Sequence, residues 1–261
     1  MNHKKVPLIA GNWKMNKTPA EARELILVLK EKFKKLNSVK IVICPPFTSL
    51  ASVQSTLNGC NISLGAQNVH WENEGAFTGE VSPRMLLTMG CQYVIIGHSE
   101  RRNFFQETDE MVNMKLKAVL KESLAPIVCI GETWQEREAG KTEEVIEHQL
   151  KAALKMVALE DVEKVVIAYE PVWAIGTGKN ATPKQANEIH AFIREKLTTM
   201  YNKETAQKMY IIYGGSVTPE SADDLIEMPE INGFLVGGAS LDPEAFEKIV
   251  RSSVTPKAAV K

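Results

Sequence analysis

The stretch "VVIAYEPVWAIGTGKNATP", residues 165 to 183, holds one complete structural unit. Val165 to Tyr169 is a β-rich apolar run without polar alternation, the pattern of a strand buried on both faces in a parallel sheet. Glu170 ends the run. At the far end Thr182 offers an N-cap oxygen, Pro183 suits the first helical position and Gln185 completes a capping box, so a helix begins there. The connection between them carries Trp173, Ala174 and Ile175, apolar residues where an exposed loop is ordinarily polar.

The same unit recurs along the chain. Apolar runs lie at Leu8 to Ala10, Lys40 to Cys44, Ile62 to Leu64, Tyr93 to Ile96, Ile127 to Ile130, Val165 to Tyr169, Tyr210 to Tyr213 and Phe234 to Val236. Helix starts fall between them. Thr18-Pro19, Ser82-Pro83, Thr182-Pro183, Thr218-Pro219 and Asp242-Pro243 each pair an N-cap oxygen with proline, and Thr18 with Glu21 repeats the capping box. After the first cap, Ala22, Leu25, Ile26, Leu29 and Phe33 share one helical face; after the third, Ala186, Ile189, Ile193 and Leu197 do so. Strand-then-helix units spaced by about 30 residues, with no linker between them, predict a closed (β/α)8 barrel of the α/β class over residues 1–251. An open doubly wound sheet is the alternative. Residues 252–261 read as a frayed tail.

The chain has 261 residues, 44% hydrophobic and 24% charged, enough to bury a large core. Its formal net charge of -1 provides no general field for nucleic acid or an anionic membrane. Cys44, Cys60, Cys91 and Cys129 are scattered without a CxxC pair, which argues against a zinc cluster or a disulfide scaffold. The apolar stretch Val6 to Ala10 is too short for a signal-peptide core or a membrane span. A soluble, cytoplasmic protein is expected.

In a parallel barrel every strand ends on one face, where the active site belongs. Asn12 and Lys14 follow the first run, His98 and Glu100 the fourth, Glu170 the sixth, Gly214-Gly215-Ser216 the seventh and Gly237-Gly238 the eighth. The two glycine turns suggest backbone amides open to a phosphate at helix starts, although each alone is an ordinary tight turn. Gly176 to Ala181 formally fits G-x-G-x-x-A, but Glu170 to Ile175 separate it from the strand, so a dinucleotide reading fails. Gly178-Lys179 is followed by Asn180 and not by Ser or Thr, so a Walker loop fails as well. His98 and Glu100 lack further ligands for a metal. Cys129 suits a buried strand better than a nucleophile, and His3, His148 and His190 read as terminal or helix-surface residues.

"AYEPVWAIGTGK" (168–179), "GHSERR" (97–102) and "YGGSV" (213–217), supported by "GNWKMN", "CPPF", "GAQN", "GAFTGE" and "GGASL", resemble the triosephosphate isomerase family from Gly11 to Leu241. That resemblance implies cofactor-free, metal-free interconversion of dihydroxyacetone phosphate and glyceraldehyde 3-phosphate. It makes Glu170 the base at carbon, His98 the electrophile, and Lys14 and Asn12 the groups that bind substrate and developing charge. Gly176, Ser216, Gly237 and Gly238 hold the phosphate. Glu100 supports Lys14, with Ile175, Leu235, Tyr213 and Cys129 as further supporting residues. Pro171, Val172, Trp173 and Ala174 form one side of a lid, and Thr177, Gly178, Lys179, Asn180 and Ala181 the other. Gly75, Phe77, Thr78, Gly79 and Glu80 resemble the family's arm into a partner subunit, which implies a homodimer. Competing readings are another sugar-phosphate barrel enzyme, a catalytically silent phosphate-binding or scaffold protein, and a glycosidase using Glu100 with Glu170.

Overall fold

The computed structural model describes residues 5–174 and 181–254. Eight strands form a closed, wholly parallel barrel in chain order: β1 (Leu8–Asn12), β2 (Lys40–Cys44), β3 (Ile62–Ala66), β4 (Cys91–Ile96), β5 (Ala125–Ile130), β6 (Val166–Tyr169), β7 (Tyr210–Tyr213) and β8 (Gly233–Val236). β1 closes the ring by pairing with β8, Leu8 opposite Gly233 through Gly11 opposite Val236. The barrel supersedes the open-sheet alternative. Around it run α1 (Pro19–Phe33), α2 (Leu50–Leu57), α3 (Pro83–Thr88), α4 (Ser99–Phe105), α5 (Asp109–Lys121), α6 (Trp134–Glu138), α7 (Thr142–Ala153), α8 (Leu159–Val162), α9 (Pro183–Met200), α10 (Lys203–Lys208), α11 (Ala222–Glu227) and α12 (Pro243–Ser252). Among the described residues no helix is long and apolar enough to cross a membrane.

The strands lack polar alternation because both of their faces are buried. Leu8, Ala10, Val42, Cys44, Ile95, Ile127, Cys129, Val166, Ala168, Ile212 and Leu235 fill the barrel, while the alternate strand residues pack outward on the helices. Period two then aims the next residues inward at the strands' C-terminal ends. Asn12 continues Leu8 and Ala10, and Glu170 continues Val166 and Ala168. On α1 the buried set is Ala22, Leu25, Ile26, Leu29 and Phe33, each large aliphatic side chain contributing about 1.5–3 kcal/mol.

Four of the five proline caps begin helices as expected. The Ser82 side chain accepts from Met85 N–H at 3.3 Å and that of Asp242 from Ala245 N–H at 2.7 Å. Thr182 and Gln185 exchange backbone-to-side-chain bonds of 3.0 and 3.2 Å, and Glu21 accepts from the Thr18 amide. Thr218-Pro219 departs from this pattern. The Thr218 amide donates to Ser221 Oγ at 3.0 Å, which closes a turn, and α11 starts only at Ala222. Ser252 belongs to α12, and residues 255–261 of the expected tail lie outside the described residues.

His190 is the clearest misplacement. Read as a surface residue of α9, it is fully buried, with Nδ1 3.3 Å from the Glu230 carbonyl and its ring against Tyr169 and Tyr213. Burial pushes its pKa down to about 3. In the unfolded chain the ring protonates near pH 6.5, so between about pH 6.5 and 3 the unfolded state binds the extra proton and stability is lost as pH falls. The expected result is a drop in Tm from pH 7.5 to pH 5 that is smaller in His190→Gln. Thermal unfolding at the two pH values checks this; equal drops would contradict it.

Candidate active site

The strand ends converge on a cavity of about 330 Å³ lined by Asn12, Lys14, His98, Glu170, Leu235 and the segments 214–218 and 237–239. Asn12, His98 and Glu170 are buried. Ser216, Gly237 and Gly238 line the same cavity as His98 and Glu170. Gly176 and Ile175, with Thr177, Gly178, Lys179 and Asn180 of the expected lid, lie outside the described residues.

Lys14 sits in the left-handed region, φ 52°, which costs a non-glycine residue about 1–3 kcal/mol. Three contacts hold it there. Its amide donates to Asn12 Oδ1 at 3.1 Å, its carbonyl accepts from Gln67 Nε2 at 2.9 Å, and its Nζ pairs with Glu100 Oε1 at 2.6 Å. Gln67 Nε2 also donates to the Cys44 carbonyl, which ties the Lys14 turn to β2.

Strand alternation would aim Gly97 inward. Its φ of +68° turns the chain there, and a Cβ would meet Val112 at 2.9 Å, so glycine is required. The peptide is clamped on both sides: Glu107 Oε1 accepts from Gly97 N–H at 2.9 Å, and Arg102 Nε donates to Gly97 O at 2.8 Å. His98 follows as the N-cap of α4. Its Nδ1 accepts from Glu100 N–H at 3.2 Å, which assigns the ring proton to Nε2.

Nε2 lies 3.0 Å from Glu170 Oε1, and Glu170 Oε2 accepts from Ser99 N–H at 2.9 Å. Burial pushes the Glu170 carboxyl upward, but His98 and the Ser99 amide outweigh it and hold the acid below its usual range. Burial pushes His98 down while the adjacent Glu170 carboxylate more than offsets this, so its pKa is raised. That raising cause belongs to the pair. Without that carboxylate beside it, burial and the α4 amide on Nδ1 would favour the neutral ring.

Glu170 is packed from behind as well. A Cβ on Gly214 would lie 2.8 Å from its Cγ, and a Cβ on Gly131 would lie 1.7 Å from its carbonyl oxygen. Cys129 is buried in the barrel, where burial and then the Glu170 charge push its thiol pKa well up. That suits a supporting residue and not a nucleophile. Tyr213 is buried against Gly215, and burial pushes its phenol up to about 12. The glycine doublet after β7 leads into a loop and not directly into a helix, whereas after β8 a short helical turn starts at Gly238.

Sequence reasoning passed over Glu132. It is fully buried and accepts from Trp173 Nε1 at 2.9 Å, from Tyr169 Oη at 3.1 Å and from Arg137 Nη1 at 3.1 Å. Its carbonyl accepts from Val172 N–H, and Arg137 also lies over the Trp173 ring. Pro171 to Ala174 are thereby fastened as a tight helical turn, with Trp173 and Ala174 buried and Ala181 buried across the gap. Among the described residues no three His, Cys, Asp or Glu side chains group as metal ligands would.

A second cavity, about 280 Å³, opens on the other side of Lys14 between Met15, Phe47, Gln67, Glu100 and Phe105. Met15 and Phe105 are exposed. The segment from Gly75 to Glu80 lies in the β3–α3 connection, exposed throughout, with the Phe77 and His70 ring centroids 4.4 Å apart.

The model of the family described as "Triosephosphate isomerase" matches residues 7–253. A triosephosphate isomerase of Carboxydothermus hydrogenoformans is 54% identical over 248 residues, 95% of this chain and 99% of the relative. Those of Citrifermentans bemidjiense and Dictyoglomus turgidum are 55% and 54% identical, each over 98% of the relative and over 95% and 94% of this chain. Barrel, converging strand-end residues and similarity along almost the whole length agree: the chain belongs to the triosephosphate isomerase family.

Proposed function

We propose that this enzyme interconverts dihydroxyacetone phosphate and D-glyceraldehyde 3-phosphate with Glu170 as the base at carbon and His98 as the neutral electrophile. The observation that carries these roles is the Glu170–His98 contact at the cavity wall, with the Lys14 cation on the same cavity. Substrate binding displaces Glu170 from His98. The freed carboxylate takes a proton from the carbon beside the carbonyl, while His98 Nε2–H hydrogen-bonds the oxygen as charge develops and then moves protons between the two oxygens. Lys14 and Asn12 stabilise the enediolate. Separation from His98 also removes the main cause that keeps the Glu170 carboxyl acidic, so burial then raises its basicity.

The phosphate is assigned to the amides of Ser216, Gly237 and Gly238, together with Gly176 of the lid. Ile175 and Leu235 supply the apolar cover that excludes water from Glu170. Binding energy at the phosphate is spent on closure and on displacing Glu170, so it appears in turnover. Unphosphorylated glyceraldehyde at saturation is expected to turn over at least roughly 100-fold more slowly than its phosphate ester. Steady-state rates compare the two; equal kcat values would contradict the assigned grip.

We also assign a homodimer, in which Gly75, Phe77, Thr78, Gly79 and Glu80 of one subunit enter the partner's cavity beside Lys14 and Glu100. The exposed arm and the exposed apolar side chains of Met15 and Phe105 at that cavity support it. Thr78→Arg is expected to give a monomer in sedimentation and to lower kcat by about 100-fold, because the turn carrying Lys14 loses its outer wall. A monomeric wild-type mass at full activity would contradict this. The four cysteines are unpaired, which supports a reducing, cytoplasmic location.

A further inference from the structure

At the opposite end of the barrel, before β1, Lys5 occupies an unusual electrostatic position. Its Nζ donates to the Met209 carbonyl at 2.5 Å, and the same oxygen accepts from Arg194 Nη1 at 2.8 Å. The amine and the guanidinium nitrogen therefore stand no more than 5.3 Å apart, the two bonds laid end to end. Lys5 and Lys40 also share one aromatic ring, their nitrogens 5.3 and 4.7 Å from the Tyr210 centroid. The carboxylate acting on this group is Glu230, and Arg194 Nε already engages it at 3.1 Å. Three cations thus meet one carboxylate. Loss of a proton from Lys5 relieves the excess, since Arg194 stays charged.

Burial, then Arg194 and Lys40, push the Lys5 amine down to about 7, against the partial opposition of Glu230. A lysine in water, with a pKa near 10.4, is only about 0.1% neutral at pH 7.4, so a far larger share of Lys5 carries a free lone pair at that pH. A lysine that is partly desolvated and set beside another cation is an activated nucleophile.

We propose that Lys5 is a site of reversible carbamate formation with carbon dioxide. The Nζ lone pair attacks the carbon of CO2 and forms a C–N bond. One C=O π pair moves onto oxygen, and the nitrogen releases one proton to water, leaving a neutral N–H and a carboxylate. No oxidant or reductant is needed. The new negative charge lies beside Arg194 and Lys40, so the reaction converts an excess of positive charge into paired charge. A small, uncharged electrophile fits the half-buried amine, and Lys5 takes no part in the isomerase chemistry.

The test incubates the full-length protein with 13C-bicarbonate at pH 7.4, traps carbamates with a trialkyloxonium salt and maps the label by peptide mass. The expected result is label on Lys5 at least tenfold above that on the exposed Lys121 and Lys203. It vanishes in Lys5→Arg, which keeps its isomerase activity, and falls at least threefold in Lys40→Met. Label spread evenly over the lysines, label confined to the N-terminal amine, or unchanged label in Lys40→Met would each overturn the proposal.

Discussion

Glu170→Gln lowers kcat by roughly 10³–10⁴-fold and leaves the barrel folded. A carboxamide fills the same volume beside Gly214 and Cys129, so the packing survives. It has no basic oxygen for a carbon-bound proton. The carboxylate accepts from two donors, Ser99 N–H and His98 Nε2–H, whereas the amide turns its NH2 toward one of them. One buried donor loses its partner, and the expected stability loss is about 1–3 kcal/mol. Rapid-mixing kinetics with circular dichroism separates the two effects. A folded variant that retains more than a tenth of wild-type turnover would refute Glu170 as the base.

The pH dependence follows from the same contacts. In the unliganded enzyme Glu170 titrates below the usual carboxylate range, so the basic form is present at every pH above that point. The acid limb of kcat/KM therefore falls with His98, whose pKa the Glu170 carboxylate raises and whose neutral form is required, and with the substrate's own phosphate, whose second pKa is about 6, and not with the base.

Lys14→Met is the second large effect, a loss in kcat/KM of about 10³-fold or more, divided between a lower kcat and a higher KM. Lys14 supplies positive charge to a cavity that also holds the Glu170 carboxylate and borders Glu100. Without it a phosphate dianion, and then an enediolate, would face those carboxylates with no cation from the lysine. Unpaired Glu100 makes this worse. Lys14→Met with Glu100→Gln is therefore expected to recover roughly tenfold over Lys14→Met alone, and a double-mutant cycle measures it. Purely additive losses would show that the two residues act separately.

Which of these residues could be read from the sequence depended on how local their placement is. Glu170 and Asn12 each stand one period-two step beyond an inward strand residue, so finding the strand located them. His98 breaks that alternation. Only its position between a strand run and a helix start marked it, and the cause lies in Gly97 and its clamp by Glu107 and Arg102. Gln67 and Glu132 were not legible as site residues, because each acts through partners brought close by the barrel: Lys14 for Gln67, Trp173 for Glu132. His190 carries the polarity of a surface residue, yet it stands four residues after Ala186 on the apolar face of α9 and is buried there. Thr218-Pro219 has the composition of a cap, yet the Thr218–Ser221 bond closes a turn first.

The central claim is that Glu170 moves a proton between the two adjacent substrate carbons. It is tested most directly by following glyceraldehyde 3-phosphate in D2O with a chelator by proton NMR, using wild type and Glu170→Gln. The expected result is conversion to dihydroxyacetone phosphate by the wild type, with solvent deuterium appearing at the carbon that receives the proton, and loss of both signals in the variant. Conversion without any deuterium, or undiminished exchange in Glu170→Gln, would contradict the account.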